Sequence, residues 1–509
     1  MKLNENPIFI TQRRLAHRGG VLAPVLIAGL IGLSLLAGLV AYRAVPADFR
    51  GFTTLHEAGK TFYAWTIAAE ILVLVIGGFS RVSRTLAEER KAGLWDSNRL
   101  TPLRTSQIVT GYWLGSALRE IYMALTLAGM GLVIVVLGEL PLTLWFGTQW
   151  LIFSAALFFW LIAILAGLSF QRPQIGVLAV LIFLAIQPFS FIFPGFILTN
   201  FLLPSYGIIN LFQRGAAPEK TYSEHDWVQL PHFFNLPVPP ILLSFALQLS
   251  LGILLWREAT RKTANPFQAL MRRSEALAIF GILLVAQHGL IWGLWRGRFP
   301  NEAITQHPYP SDNPDSLFPA VHCGTIFLAV LILAAASPQP ETVRVTILRR
   351  DIKTLGAIFS QSAVALALIL GALASVVLFS HFAGSIAKSW EIYLIAAGNL
   401  VGVFLIFALL FEFCRLRHGR RAVGFLALWL FALCAMPFIL AAVFGNSAFA
   451  KLSLLAPGVT ALSSMGDENL NYLLGIVAAH FGSALLLWIA WQREWRKLLA
   501  RASVDSKPD

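Results

Sequence analysis

Long apolar runs broken by short polar stretches dominate the chain. Twelve runs reach the roughly 20 apolar residues that a helix needs to cross a hydrocarbon layer about 30 Å thick. They fall at 21–42, 61–82, 108–137, 144–170, 175–195, 237–256, 278–296, 318–337, 354–381, 391–413, 423–444 and 471–491. The runs are continuous rather than alternating, so they predict helices and not the strands of a barrel. The expected fold is an all-α polytopic membrane protein with about 12 transmembrane helices. The first run follows a polar start, is long enough to span, and lacks a convincing A-x-A end, so it reads as the first transmembrane helix and not as a cleaved signal.

Composition agrees. The chain of 509 residues is 57% hydrophobic and 13% charged, with a mean hydropathy of +0.70, more apolar surface than a soluble fold of this size can hide. Its three cysteines, Cys323, Cys414 and Cys434, show neither metal spacing nor a disulfide framework. The net charge of +13 does not point to nucleic acid, because the basic residues sit in short loops between apolar runs. With a cytoplasmic N-terminus, inner segments hold 29 of the 39 Lys and Arg, and outer loops hold nine. That asymmetry favours both termini inside.

Two stretches, NPIFITQRR at 6–14 and NPFQALMRR at 265–273, lie 259 positions apart, and each heads six apolar runs. A Pro-broken apolar stretch precedes each sixth run, with Pro204 and Pro457 253 apart. One reading is two parallel six-helix units: 1–260, then 261–492, then a basic and polar cytoplasmic tail at 493–509. The other is chance, since Asn caps helices and Pro fits their first turn. The residues after each Asn-Pro mix apolar and basic side chains, as interfacial helices do, with Arg13, Arg14, Arg272 and Arg273 toward water and lipid phosphate.

Between the second and third runs lies SRVSRTLAEERKAGLWDSNRLTPLRTSQIVTG, residues 80–111. It is too long and polar for a turn. SRTLAEERKAG predicts a helix running on from the second span and stopping at Gly93. LWDSNRL predicts a short second helix, Thr101-Pro102 a break, and Thr105 or Ser106 the cap of the third span. Such a helix-break-helix on rigid spans makes a lever.

This stretch resembles the ABC-2 type permeases of ATP-binding-cassette transporters, whose motif runs roughly E-R-x-x-G-T-L-(E/D)-x-L-x-x-T-P-(L/I)-(S/T)-x-x-(E/Q)-I-x-x-G-K. Glu89, Arg90, Gly93, Asp96, Thr101, Pro102, Leu103, Gln107, Ile108 and Gly111 fall on it. Leu94, Trp95 and Tyr112 depart from its Thr, Leu and Lys, and Leu100 lies one place off register. The resemblance covers about residues 5–260. It implies a permease subunit of an exporter, not itself an enzyme, with a coupling segment at 83–107 docking on a separate ATPase through Glu88, Glu89, Arg90, Gly93, Asp96, Thr101 and Pro102. It also implies two ATPase copies carrying ATP-Mg, contact with membrane lipids, room for periplasmic or accessory subunits, and a bacterial inner membrane. The second half matches by topology alone: SPQPETVRVTILRRDIK at 337–353 lacks E-R-x-x-G.

The chain shows no nucleotide site of its own. Its only Gly-Lys pair is Gly59-Lys60, with Thr54 where a phosphate loop needs Gly. No HExxH, GxSxG or carboxylate pair appears, and no cofactor or metal is expected. Ionisable groups within the spans are the default functional hint: Glu70, Arg119, Glu120, His288 and His480. Glu70 and Arg119, on adjacent spans, are expected to form a structural ion pair. Two rival readings remain. A 12-helix secondary transporter fits the topology, although the 80–107 link is long for it. A membrane-embedded lipid or glycan enzyme would need a polar cluster such as TYSEHDW at 221–227 or NEAITQHPYPSDNPD at 301–315, where a solvated loop is the plainer account.

Overall fold

Apolar length and helix-end chemistry set nearly every element. The computed structural model describes residues 5–18, 20–44, 55–169, 197–214, 232–234, 236–265, 269–295, 317–336, 361–383, 390–418, 432–433, 436, 453–454 and 470–504. Among the described residues, eight helices are long and apolar enough to cross a membrane: Leu22–Ala44, Leu55–Lys91, Leu118–Leu137, Leu142–Ser169, Pro240–Ala264, Arg273–Ile291, Ile392–Arg417 and Leu473–Lys497. Apolar helices Leu317–Ala336 and Gln361–Ala383 occupy two more of the expected runs. The expected spans at 175–195 and 423–444, the polar clusters at 221–227 and 301–315, and the segment 337–353 lie outside the described residues. The protein is an all-α membrane protein.

The chain divides into two compact units. The first takes Met1–Ser190, Ile197–Pro231 and Leu236–Pro266; the second takes Phe191–Phe196, His232–Asn235 and Phe267–Asp509.

In the first unit, α1 (Pro7–Arg18) is followed by α2 (Leu22–Ala44). On α2 only Ala28, Gly32 and Leu39 are buried, while Leu22, Leu26, Ile27 and Leu30 are exposed, the pattern of a lipid-facing span. α3 (Leu55–Ile71) runs through a π-helical turn, Leu72–Gly77, into α4 (Gly78–Lys91). α5 (Leu94–Leu100), α6 (Thr105–Gly115) and α7 (Leu118–Leu137) follow. The expected third span is therefore broken at Ser116–Ala117. α8 (Leu142–Ser169) is apolar all round and mostly buried, so it forms the axis of the unit. The Gly59 of the Gly-Lys pair serves packing, since a Cβ there would meet the Gly138 backbone at 2.8 Å.

Around Pro204 the chain forms α9 (Thr199–Leu202) and α10 (Ser205–Arg214). Most of residues 197–207 are buried, and Gln248 of α11 (Pro240–Ala264) donates to the Leu202 carbonyl at 2.9 Å. Protein thus shields this broken backbone, as non-helical chain at membrane depth requires. In the second unit come α12 (Arg273–Trp295), α13 (Leu317–Ala336), α14 (Gln361–Ala383), α15 (Trp390–His418) and α16 (Leu470–Val504), with the largely buried α15 packed against α13, α14 and α16.

The two Asn-Pro stretches are not one helix used twice. Asn6 opens α1: its Oδ1 accepts from the Ile8 and Phe9 N–H groups at 3.0 and 3.4 Å. Asn265 instead closes α11 in an extended conformation. Residues 269–272 are not helical, and Arg273 begins α12. Arg272 and Arg273 therefore stand at a span entrance and not on an interfacial helix.

Candidate functional site

The helix-break-helix forms as its local chemistry dictates. α4 ends at Lys91, and Gly93 takes φ of 72°, the left-handed conformation that glycine adopts without a Cβ penalty. α5 then runs until Thr101, whose hydroxyl bonds back to the Asn98 carbonyl at 2.6 Å. Pro102 lies in the break before α6. Neither Thr105 nor Ser106 caps α6. Arg104 does, with its N–H donating to Gln107 Oε1 at 3.0 Å.

Below this surface lies a hub centred on Glu89. Gln12 of α1 donates to Glu89 Oε1 at 2.6 Å. The Tyr112 hydroxyl of α6 donates to Glu89 Oε2 and accepts from Asn98 Nδ2 of α5 at 2.7 Å. One carboxylate thus ties α1 and α6 to α4, and α5 joins through Tyr112. Its neighbour Arg90 donates to the carbonyls of Gly167 and Leu168 at 3.2 and 2.6 Å, near the negative end of the α8 dipole. Trp95 and Tyr112, two of the three departures from the ABC-2 motif, pack against each other with ring centroids 5.2 Å apart and planes tilted by 44°.

Helix α1 closes the hub from the side. Gly111 and Gly115 of α6 form a small-xxx-small stripe, and a Cβ on them would meet Ile8 at 2.8 Å and Gln12 at 2.9 Å. The buried face of α1, Ile8, Phe9, Gln12 and Ala16, is spent on this contact, while Arg13 and Arg14 are exposed. Asn6 Nδ2 donates to the Gln107 carbonyl at 2.7 Å.

The sequence-predicted docking residues therefore divide. Glu89 and Arg90 point inward and fix the lever to its base. Glu88, Gly93, Asp96, Thr101 and Pro102 are exposed, as are the apolar Leu94 and Leu100. Glu88 pairs with Arg84 at 3.0 Å on the α4 surface. Leu100, at 89% relative exposure, is apolar surface that no neighbour within the chain covers.

Glu70 and Arg119 do not pair. Glu70 accepts from Gln149 Nε2 at 2.8 Å, and Arg119 pairs with Glu120 at 3.1 Å. The register explains it. A Cβ on Gly77 would lie 3.6 Å from Glu120 Cγ, while Gly131 faces Tyr63 and Thr66. Arg119 is thus level with the chain seven residues beyond Glu70, about 10 Å along the helix.

The second unit holds a polar cluster of which sequence reading names only His480, because a single His or Asn inside an apolar run carries no spacing signal. Asn399 Nδ2 donates to the Leu454 carbonyl at 3.0 Å, which fixes the amide's orientation. Its Oδ1 then meets His322 Nε2 at 2.8 Å, and its Nδ2 also meets His480 Nδ1 at 3.3 Å. Since the carbonyl oxygen can only accept, His322 carries its hydrogen on Nε2. All three side chains are buried.

Among the described residues no group of three or more His, Cys, Asp or Glu could hold a metal ion. No family model, curated protein or solved structure matches the chain.

Proposed function

We propose that the chain is the membrane-spanning permease subunit of an ABC transporter, an exporter, whose 83–107 segment couples ATP hydrolysis in a separate ATPase subunit to substrate movement. The observation that carries this reading is the division of the segment into an exposed tip and an anchored base. A partner gripping Leu94–Pro102 would pull on Glu89, Arg90 and Tyr112, and through them on α1, α6 and α8. A passive loop needs no such anchorage. In this reading the tip faces the cytoplasm, two ATPase copies bring ATP-Mg, and α1 presents Arg13 and Arg14 to lipid headgroups. The similarity to the ABC-2 motif supports it from the sequence side.

Affinity purification of the full chain from its membrane tests it. An ATPase subunit is expected to co-purify, and Leu100→Glu or Pro102→Ala should reduce its recovery several-fold. A chain that brings down no ATPase, with transport intact in those variants, would sink the reading. The second reading, a secondary transporter, draws on one observation: the buried carboxylate of Glu70 on a spanning helix.

A further inference from the structure

Glu70 is fully buried on α3. Among the described residues its one hydrogen-bond partner is the Gln149 amide, and both Glu70 Oε1 and Gln149 Oε1 are buried without a partner. Tyr63 lies two turns earlier on α3, so it shares the face of Glu70. Its hydroxyl contacts the Thr148 Oγ1, whose own hydrogen is directed to the backbone carbonyls of Leu144 or Trp145 at 2.8 and 3.0 Å. Tyr63 is therefore the donor in that contact, and its oxygen in turn interacts with the Gln149 side chain, so the three residues form one connected cluster. The buried atoms of the cluster left without a partner are both oxygens, Glu70 Oε1 and Gln149 Oε1.

A carboxylate at membrane depth with one neutral donor is an uncompensated charge. Among the described residues no ion pair balances it. The titratable groups on the elements packed against α3 are Arg119, Glu120 and Tyr122 of α7, Tyr42 and Arg43 of α2, and Tyr206 and Arg214 of α10, whose Phe212 stacks on Tyr63; α8 and the π-helical turn carry none. On α3 itself stand His56, Glu57, Lys60 and Tyr63. The backbone adds an independent sign. The π-helical turn Leu72–Gly77 begins two residues after Glu70, and such insertions concentrate at functional sites. Trp160 Nε1 of α8 donates to the Leu74 carbonyl within it at 2.9 Å.

We propose that Glu70, Gln149 and Tyr63 form an intramembrane site for one small monovalent cation, a proton or an alkali ion. Oxygen donors with a single negative charge suit a hard, singly charged ion. The site is independent of the ATPase-docking surface, so either proposal can fail alone.

The test uses the full chain in lipid nanodiscs, with infrared spectra and melting curves recorded in choline chloride and in sodium chloride. A carboxylic C=O stretch present in the wild type and lost in Glu70→Gln, unmoved by sodium, supports the site with a proton as occupant. Sodium removing that band, or raising the wild-type Tm but not that of Glu70→Gln, supports it with sodium. Gln149→Leu, which leaves Glu70 in place, should shift the band or shrink the sodium effect, and it carries the readout if Glu70→Gln does not fold. A wild type with no Glu70-dependent band and no sodium-dependent Tm shift overturns the proposal.

Discussion

Glu70 and Glu89 stand nineteen residues apart on one continuous helix, and their surroundings differ sharply. Glu89 receives hydrogen bonds from Gln12 and Tyr112, on two other helices, and Tyr112 is itself held by Asn98. Glu70 receives one, with an oxygen left over. The first carboxylate is completed by the fold and so acts as a fastener. The second is left incomplete by the fold, which is the arrangement of a group reserved for something that comes and goes. Residue type is the same in both places, and the donor count decides the role.

The sharpest test of this contrast removes each acceptor. Glu89→Ala strands the Gln12 amide and the Tyr112 hydroxyl in a half-buried hub. Each orphaned donor costs about 1–3 kcal/mol, so the full chain should lose about 2–6 kcal/mol, read as a lower Tm in detergent. Glu89→Gln keeps an acceptor and should lose less than half of that. Equal losses for the two would mean that the hub is packing and not hydrogen bonding.

The next effect concerns the backbone between the two carboxylates. A Cβ on Gly78 would lie 2.3 Å from Trp160 Nε1, the atom that bonds the Leu74 carbonyl. Gly78→Ala should therefore cost about 1–3 kcal/mol of overpacking. It should also disturb the π-helical turn, seen as faster amide exchange at residues 72–77. Unchanged exchange there would separate the turn from Trp160.

Arg90→Lys should cost less, about 1 kcal/mol: Arg90 serves both the Gly167 and Leu168 carbonyls from one nitrogen, Nη1, and a lysine keeps the charge near the α8 terminus but places its ammonium on a shorter, more flexible stem. A Tm equal to the wild type would show that charge alone suffices.

Local chemistry made part of this legible. Gly93 and Thr101-Pro102 announce a stop and a break wherever they stand, so the short helix 94–100 follows from the sequence. The hub does not. Gln12 and Glu89 are 77 residues apart, and Trp95 and Tyr112 look like isolated departures from a motif until their rings meet. The Glu70–Arg119 pairing failed for a related reason. One apolar run from 108 to 137 reads as one helix, and nothing in Ser116-Ala117 signals the break that sets Arg119 beside Glu120. Asn-Pro misled differently, since the same dipeptide suits the start of α1 and the end of α11, and only the preceding residues tell which.

The smallest stability effect carries the largest functional expectation. Leu100 extends into solvent from the tip of the lever at 89% exposure. Leu100→Glu removes no internal contact, so it should change stability by less than about 0.5 kcal/mol. If the tip docks on a partner, the buried charge should weaken that interface several-fold, because an unpaired carboxylate there must be desolvated on binding. Glu89→Gln should do the reverse, disturbing the hub while leaving the tip's chemistry intact. Comparing the two variants by Tm and by ATPase recovery separates anchor from contact. A Leu100→Glu chain that melts normally and recovers the proposed ATPase partner as well as the wild type does would rule out the tip as the docking surface.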